Sequence, residues 1–258
     1  MNLQEKLEYH YLNFDRTKLS PDPLEFPHLF SIDADIELMG FIASVFAYGN
    51  VKQINSSLNN ILKFIKPSPS EFILDFNKNK AREKLKGIKH RFYSGEDILN
   101  LFYLLKIIVK KNGSLKNLFL QYYSEKDSSI KNPLSEFSKE FLSRYEQEAF
   151  SPTTGIKFMF PLPEKNSACK RMNLFLRWMV RKDELDFGLW NEIPTNKLII
   201  PVDTHVARIC KELKLTSLKN VSWKMAEEIT NNLKKFDPLD PVKYDFAICH
   251  IGIRKMKF

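Results

Sequence analysis

The sequence predicts an all-α fold, and three observations support this prediction. Apolar residues recur at the three- and four-residue spacing of amphipathic helices over most of the 258 residues. Glycine is scarce, with 8 residues, which argues against a protein built from β-hairpins. No segment shows the strict alternation of a half-buried strand. With 43% hydrophobic residues, the chain can bury a core as one large domain or as two smaller lobes.

Each predicted helix has an apolar stripe and residues that start or stop it. The first carries Leu3, Leu7, Tyr11 and Phe14 on one side, and Asp33 suits the positive N-terminal end of the second. Proline-rich or polar stretches at 20–30, 126–133, 150–166 and 183–201 are predicted to be irregular. We predict helices over residues 3–14, 33–47, 51–65, 70–76, 94–109, 114–123, 134–145, 167–180, 204–213, 222–233 and 241–253.

The charge balance indicates an anionic partner. The chain has 40 Lys and Arg against 31 Asp and Glu, a net charge of +9 and a pI near 9.3, so nucleic acid is the first partner to consider and an anionic membrane surface the second. The stretch 78–91 has seven cations against one glutamate and is the best candidate for phosphate contacts, the alternative being a solvated lysine-rich face.

Cysteine usage and hydropathy exclude several other classes. Cys169, Cys210 and Cys249 lie too far apart for a zinc ribbon or an iron–sulfur loop, and their odd number suits a reducing cytosol. No apolar run approaches the ~20 residues of a membrane span, and no signal peptide is evident. We therefore expect a cytoplasmic protein that binds no metal and no cofactor and acts as a monomer.

Lys170 and Asp203 are the residues best placed for chemistry. Ser167 is predicted to cap the helix over 167–180, which places Lys170 in its first turn, where the helix dipole and Arg171 disfavour an ammonium. A neutral amine is a nucleophile that forms Schiff bases with carbonyl-like carbons. Asp203 precedes the helix over 204–213, where it can cap that helix and also stabilise a cation. Alternatively, Lys170 is an ordinary solvated lysine and Asp203 only a cap.

Other polar and aromatic side chains are candidates for substrate contact. Tyr48, Asn50 and Gln53 flank a break between two helices and could lie beside a DNA base step, or the break could be a simple corner stopped by Gly49. His205 could join His250 and the aspartates in a metal site, but no ligand spacing supports this.

The helix over 167–180 contributes further candidates. Arg171, Arg177 and Arg181 fall near one side of it and could add to a positive groove. Trp178 and Trp190 could stack on a base, although a lone tryptophan in a helix more often belongs to the core.

These residues also carry a resemblance to a known superfamily. Residues 201–209, PVDTHVARI, resemble the segment holding the catalytic aspartate in the helix-hairpin-helix base-excision DNA glycosylases. Residues 244–252, YDFAICHIG, and 43–53, ASVFAYGNVKQ, look like their late helix and their early DNA-contacting helix and loop. Over nearly its full length the chain also resembles an uncharacterised bacterial family in or near this superfamily, through PLEFPH at 23–28, AYGNVKQ at 47–53, FYSGED at 92–97 and CKRMNLFLRWM at 169–179.

The resemblance implies a fold, a site and an activity. The fold would be two-lobed, with a central lobe over 21–200 that contains a hairpin-like region at 158–182, and a second lobe from 1–20 and 203–258. A damaged base of duplex DNA, an oxidised purine being one candidate, would be flipped into a cleft between the lobes. Lys170 would attack the sugar and form a Schiff base, with Asp203 assisting. The residues expected to contact the substrate DNA are Tyr48, Asn50, Gln53, Lys165, Ser167, Arg171 and His205.

The chain also departs from the superfamily pattern. The Lys170–Asp203 spacing is longer than in most members and is similar to that of the archaeal 8-oxoguanine glycosylases. The usual hairpin is rich in glycine, which lets backbone amides approach a phosphate, whereas residues 161–169 here read PLPEKNSAC. The four-cysteine iron–sulfur loop of several members is absent. Two alternatives therefore stay open: a non-catalytic helical nucleic-acid-binding protein on the same fold, and an interaction protein whose basic surface binds an acidic partner.

Overall fold

The computed structural model describes residues 2–13, 15–148, 150 and 153–253. Within these ranges the chain is helical, and its only β-type pairings are two isolated bridges, His90 with Tyr93 and Lys182 with Phe187. This confirms the predicted all-α class. The α-helices are α1 Leu3–Leu12, α2 Asp33–Phe46, α3 Val51–Ile65, α4 Pro69–Asp75, α5 Lys78–Leu85, α6 Gly95–Asn112, α7 Leu115–Leu120, α8 Lys131–Gln147, α9 Thr154–Met159, α10 Lys170–Val180, α11 Thr204–Glu212, α12 Trp223–Leu233 and α13 Asp245–Ile253.

Two helices, α5 and α9, lie in stretches where no helix was predicted. The segment of α5 lacks an apolar stripe, because Leu85 is its only buried residue. Its start is fixed by Asn77, whose side chain accepts hydrogen bonds from Asn79 N and Lys80 N, both at 3.1 Å. Helix α9 has only 6 residues, too few for a periodic pattern to show.

The predicted helix boundaries differ at several other places; α6 extends to Asn112, α7 ends at Leu120 and α8 begins at Lys131. α1 ends at Leu12, and Phe14 lies outside the described residues. The predicted helix over 241–253 begins as a 3₁₀ turn at Pro241–Tyr244 and becomes α-helical at Asp245. α10 begins at Lys170, three residues later than predicted. Such shifts are common at helix ends, where local hydrogen bonds rather than periodicity decide the first residue.

The chain divides into two compact units. Unit 1 comprises Met1–Ser20, Glu125–Lys131 and Pro163–Phe258, and unit 2 comprises Pro21–Ser124 and Asn132–Leu162. The predicted boundary at residue 200 differs from this division, which groups residues 163–200 with the N-terminal helix. No helix in the described ranges combines the length and apolarity needed to cross a bilayer.

The core of unit 2 is aromatic. α2 is buried on nearly every side, and its Phe41 stacks on Phe141 with ring centroids 5.5 Å apart. Phe160 stacks on Phe141 at 4.3 Å, and Phe137 packs edge-on against Phe41. Buried Glu37 accepts from Leu115 N at 2.8 Å and so ties the start of α7 to α2. Such ring pairs contribute roughly 0.5–1.5 kcal/mol each beyond the area they bury.

The core of unit 1 forms around α10. Trp178 and Trp190 are fully buried, and Trp190 packs edge-on against Phe175 at 5.2 Å. Neither tryptophan is available to stack on a base, so the core alternative is the one that the structure supports. Unit 1 also holds both members of the lysine–aspartate pair, so their geometry is fixed within one compact body.

Candidate functional site

Lys170 is the first residue of α10. The N-cap is Cys169, which adopts the left-handed conformation at φ 47° and makes no side-chain capping bond. Asn173 N donates to Cys169 O at 2.9 Å and opens the helical ladder. Ser167 does not cap the helix as predicted, because the left-handed turn at Cys169 intervenes; its hydroxyl accepts from Cys169 N at 3.3 Å instead. Lys170 therefore lies closer to the N-terminal end of the helix than the sequence predicted.

Asp203 is the N-cap of α11, as predicted. Its Oδ1 accepts from His205 N and Val206 N, both at 2.9 Å. These two amides are among the donors that a helix start leaves without a partner, so the carboxylate stabilises the helix and is held in one orientation.

The two side chains meet. Lys170 Nζ lies 3.6 Å from Asp203 Oδ2, and 27% of the lysine side chain and 39% of the aspartate side chain are exposed. Asp203 thus uses one oxygen for the helix cap and turns the other toward the amine. The sequence predicted that this lysine and this aspartate would cooperate, and the structure brings them within ion-pairing distance at a surface that solvent reaches.

The electrostatics of Asp203 favour the carboxylate. Burial raises its pKa, but the Lys170 charge and the amides of Val206 and His205 lower it by more, so the net pKa lies below its usual value. The group is therefore ionised at neutral pH and suited to stabilise a positive charge nearby.

The neighbouring cysteine does not compete as a nucleophile. Cys169 is buried, and burial raises the pKa of its thiol to about 12. A thiol with that pKa holds its proton at neutral pH, and the thiolate is the reactive form. Lys170 is therefore the nucleophile candidate at the start of α10.

The loop before α10 reaches its shape without glycine. Asn166 at φ 58° and Cys169 at φ 47° both adopt the left-handed conformation that glycine adopts most easily. Asn166 is also committed to α12, since its Oδ1 accepts from Lys224 N at 3.3 Å and its carbonyl from Trp223 N at 3.1 Å. The turn thus serves as a cap for another helix of the same unit.

The other predicted contact residues of unit 1 differ in accessibility. Lys165 is exposed at the end of the 3₁₀ turn Pro163–Lys165, and Ser167 is half-buried. His205 is half-buried, and its ring Nε2 is a buried atom without a hydrogen-bond partner among the described residues. Arg171 is only 6% exposed, so it lies inside the unit rather than on a surface where it could follow phosphates.

The predicted positive groove of Arg177 and Arg181 is wrong. Both side chains are only 3% exposed and are paired with aspartates. Arg177 contacts Asp186 at 3.2 Å and Asp245 at 2.5 Å. Arg181 contacts Asp186, Asp183 and Asp240, the last two at 2.9 Å. The pattern misled because an arginine stripe on a helix looks the same whether it faces solvent or buried carboxylates.

A family model described as protein of unknown function (DUF2400) matches residues 22–254. The chain belongs to this family. No curated protein and no solved structure matches the chain. The match covers Tyr48, Lys170 and Asp203 together.

The predicted contact residues of unit 2 surround the corner between α2 and α3. Asn50 is the N-cap of α3 and accepts from Lys52 N at 2.9 Å, while Gln53 is exposed one turn later. Tyr48 is half-buried, because the Arg91 guanidinium lies 4.3 Å from its ring centroid and the Phe158 ring 4.8 Å away. The corner thus presents Asn50 and Gln53 to solvent and holds Tyr48 in an aromatic cluster.

A turn lies beside this corner; its Arg91 belongs to the stretch 78–91 predicted for phosphate contacts, whereas its Phe92 was not predicted as a contact. His90 and Tyr93 exchange two backbone hydrogen bonds, at 2.9 and 2.8 Å, and place Arg91 and Phe92 at the tip. Phe92 is 57% exposed. The buried His90 ring fixes the turn through Ser57 Oγ at 2.9 Å and the Tyr48 carbonyl at 3.1 Å. The only sequence signal was an arginine–phenylalanine pair at the end of the basic stretch 78–91.

No group of three or more metal-ligating side chains occurs among the described residues. His250 was considered as a metal ligand from the sequence, and its side chain is not among the parts of the chain that the structure describes.

Proposed function

We propose that this protein is a DNA-repair glycosylase that attacks the sugar of a damaged nucleotide with Lys170 and can act as an abasic-site lyase. The observation that supports this most directly is the 3.6 Å approach of Lys170 Nζ to Asp203 Oδ2, each at the start of a helix and each partly exposed. The resemblance of residues 201–209 to the aspartate segment of the helix-hairpin-helix glycosylases gives the pair its chemical interpretation.

The chemistry follows from an amine beside a carboxylate. The amine must first lose a proton, and its lone pair then forms a bond to C1′ while the bond from C1′ to the base breaks. The base leaves with that electron pair and takes up a proton. Opening of the sugar ring gives an imine on Lys170, and removal of a proton from C2′ then expels the 3′ phosphate. Every step moves electrons only in pairs, so no oxidant or reductant is needed.

Asp203 suits one of its two proposed roles better than the other. Its lowered pKa makes it a weak proton acceptor, so it is poorly suited to hold the proton that the lysine gives up. It is well suited to stabilise the positive charge that builds on the sugar, since it stays ionised and is held rigidly by two backbone amides.

Two features, the charge balance and an exposed aromatic side chain, favour a nucleic-acid partner. The net charge is +9, and the stretch 78–91 contributes seven of the cations. Phe92 stands exposed beside Arg91 and Tyr48, which resembles the combination of aromatic and cationic side chains that stacks on bases and holds the backbone. In this proposal unit 2 contributes DNA contacts through Asn50, Gln53 and Phe92.

Borohydride trapping tests the covalent step. The wild-type protein should form a reducible adduct with a duplex that carries an abasic or oxidised site, and Lys170→Gln should form none. Lys224→Gln is the matched control, since Lys224 is an exposed lysine in the first turn of another helix of unit 1. A wild-type protein that traps no lesion tried, or a Lys170→Gln variant that still traps, would contradict the proposal.

A second candidate function is supported by the loop at 163–169. This loop contains no glycine, and its Asn166 is engaged with α12, so it lacks the free glycine amides that anchor a phosphate in the superfamily pattern. The second candidate is a helical nucleic-acid-binding protein that binds DNA but catalyses no reaction on it. Binding to undamaged duplex whose log affinity falls steeply with log salt, with no adduct on any lesion, would favour this candidate. A nearly flat salt dependence would exclude both candidates in favour of an acidic protein partner.

A further inference from the structure

Unit 2 contains a cavity whose residues take no part in the proposed covalent chemistry. It has a volume of about 450 Å³ and lies between the C-terminal end of α3, helix α4 and helix α5. This volume is within the range of small-molecule sites, roughly 300–1,000 Å³. The cavity belongs entirely to residues 63–85.

The cations of α5 divide into two sets with different surroundings. Lys78 and Arg82 are one helical turn apart and both pair with Glu96, at 3.8 and 3.3 Å. Lys80 and Lys84, also one turn apart, line the cavity, and neither forms an ion pair with any described residue. Like charges four residues apart destabilise a helix slightly. The fold thus neutralises one pair and leaves the other facing an open cavity.

The walls of the cavity combine more charge with aromatic surface. Lys63 and Lys66 line it from the end of α3, and Glu71 and Asp75 line it from α4. The four lysines therefore exceed the two acids.

Part of the cavity lining is aromatic. It includes Phe64, Phe72 and Phe76, and Phe72 is held by edge-on contacts at 5.6 Å with Phe76 and with Phe102. Phe72 and Phe64 remain half-buried and not covered. The cavity thus combines aromatic surface with an excess of positive charge.

We propose that this cavity binds a nucleoside phosphate, with the base on the phenylalanine surface and the phosphate between the lysines. A flat ring covers half-exposed phenylalanine, and a phosphate relieves the repulsion between Lys80 and Lys84. One ligand of this class accounts for both features. Two ligands offer the same base and phosphate: a free mononucleotide, and one nucleotide within a single strand of nucleic acid. The site goes beyond the proposed glycosylase chemistry, because it uses neither Lys170 nor Asp203, although Lys80 and Lys84 belong to the basic stretch 78–91 that supports nucleic-acid binding there.

Binding of AMP, inorganic phosphate and an oligothymidylate of about ten nucleotides tests the site, measured by calorimetry and by fluorescence anisotropy. Lys80→Gln/Lys84→Gln should weaken nucleotide binding roughly tenfold, because two charges near the phosphate are lost. Lys110→Gln/Lys219→Gln is the matched control, since both lysines are exposed and lie outside the cavity; it should leave the AMP affinity unchanged. Saturable AMP binding that Lys80→Gln/Lys84→Gln weakens supports a free nucleotide, and a loss of affinity for oligothymidylate alone supports a strand.

Asp75→Asn provides a test that a folding defect cannot imitate. It removes a negative charge from the cavity wall at the C-terminal end of α4, where a carboxylate is unfavourable for the helix. It should therefore tighten AMP binding about threefold while stability is kept. Equal affinity for AMP and inorganic phosphate would overturn the proposal, as would AMP and oligothymidylate affinities that neither cavity variant changes. Because trapping by Lys170 is a separate readout, each proposal can fail alone.

Discussion

At the scale of single residues, Asp203 does two things with two oxygens. One caps α11, and the other lies beside Lys170. The sequence predicted both roles, because an aspartate after a proline-ended apolar run and before a helix stripe is a recognisable cap. What the sequence did not show is that the cap leaves the second oxygen directed at Lys170.

Substitution at Asp203 separates the cap from the charge. Asparagine caps a helix about as well as aspartate, so Asp203→Asn should lose only the partly exposed ion pair with Lys170, about 0–1 kcal/mol, whereas Asp203→Ala should cost about 1 kcal/mol more because the cap is also lost. Both should lose most borohydride trapping, because the carboxylate charge is gone. Urea unfolding followed by circular dichroism measures the difference. Equal stability of the two variants would show that the two amides do not depend on this side chain.

The pH dependence of this contribution has a definite sign. Burial raises the pKa of Asp203, but Lys170 and the two amides lower it further, so the folded-state pKa lies below the unfolded value of about 3.9. The stabilisation is therefore present above the unfolded value and is lost as the pH falls through the folded one. The difference in unfolding free energy between wild type and Asp203→Asn should stay constant from about pH 7 to pH 5 and shrink below about pH 4. A difference that grows on acidification would refute the assignment.

At the scale of elements, the corner between α2 and α3 depends on backbone conformation. Gly49 adopts φ 108°, and a Cβ there would lie 2.6 Å from Arg91 Cδ. The sequence showed a break at Tyr48-Gly49-Asn50 but could not show that the turn at Arg91, forty residues later, rests on it. The spacing of apolar residues shows which face of a helix is buried, but no comparable sequence pattern shows which distant residue a loop contacts.

Gly49→Ala should therefore destabilise unit 2. The added methyl group must displace Arg91 from the Tyr48 ring, and φ 108° is strained for alanine, so we expect a loss of about 1–3 kcal/mol. Gly87→Ala is the matched control, because nothing lies within 4 Å of its added Cβ; its effect should be within about 1 kcal/mol and stabilising in sign. Thermal unfolding of both variants compares them. If Gly49→Ala is as stable as Gly87→Ala, Arg91 does not hold this corner.

At the scale of the whole molecule, each unit is built from segments that are distant in sequence. Residues 125–131 belong to unit 1, although the segments before and after them belong to unit 2. Within unit 1, Ile130 N donates to Lys197 O at 3.0 Å. The ion-pair network of Arg177 and Arg181 joins α10 to Asp183 and Asp186, to Asp240 and to the start of α13. The Tyr11 hydroxyl of α1 donates to Asp183 at 3.3 Å and connects the N-terminal helix to the same network.

Removal of one arginine from this network should be severe. Arg177→Met removes the guanidinium that contacts both buried carboxylates, Asp186 and Asp245. We expect the free energy of unfolding to fall by about 3–5 kcal/mol. Arg208→Met is the control, since Arg208 and Glu212 form an exposed pair at 2.8 Å that contributes little, about 0–1 kcal/mol. Urea midpoints of the two variants decide the matter. Similar midpoints would mean that the network does not stabilise unit 1.

The sequence by itself determined the helical class, most helix positions and the cap at Asp203, and it singled out Lys170 and Asp203 as candidates near helix starts. These depend on local patterns: apolar spacing, capping residues and helix breakers, all of which lie within a few residues of their effect. The sequence did not reveal α5, because this helix is rich in cations and has no apolar stripe. It also did not reveal that Arg177 and Arg181 are buried against aspartates.

Only the tertiary structure decided which charges face solvent and which face one another. Lys78 and Lys80 are near neighbours of the same type, yet one is paired with Glu96 and the other lines an open cavity. Likewise, Lys170 meets a carboxylate thirty-three positions away. The physical reason is that the energy of a charge depends on its burial and on the sign of its neighbours, and both are set by contacts between segments that are distant in sequence.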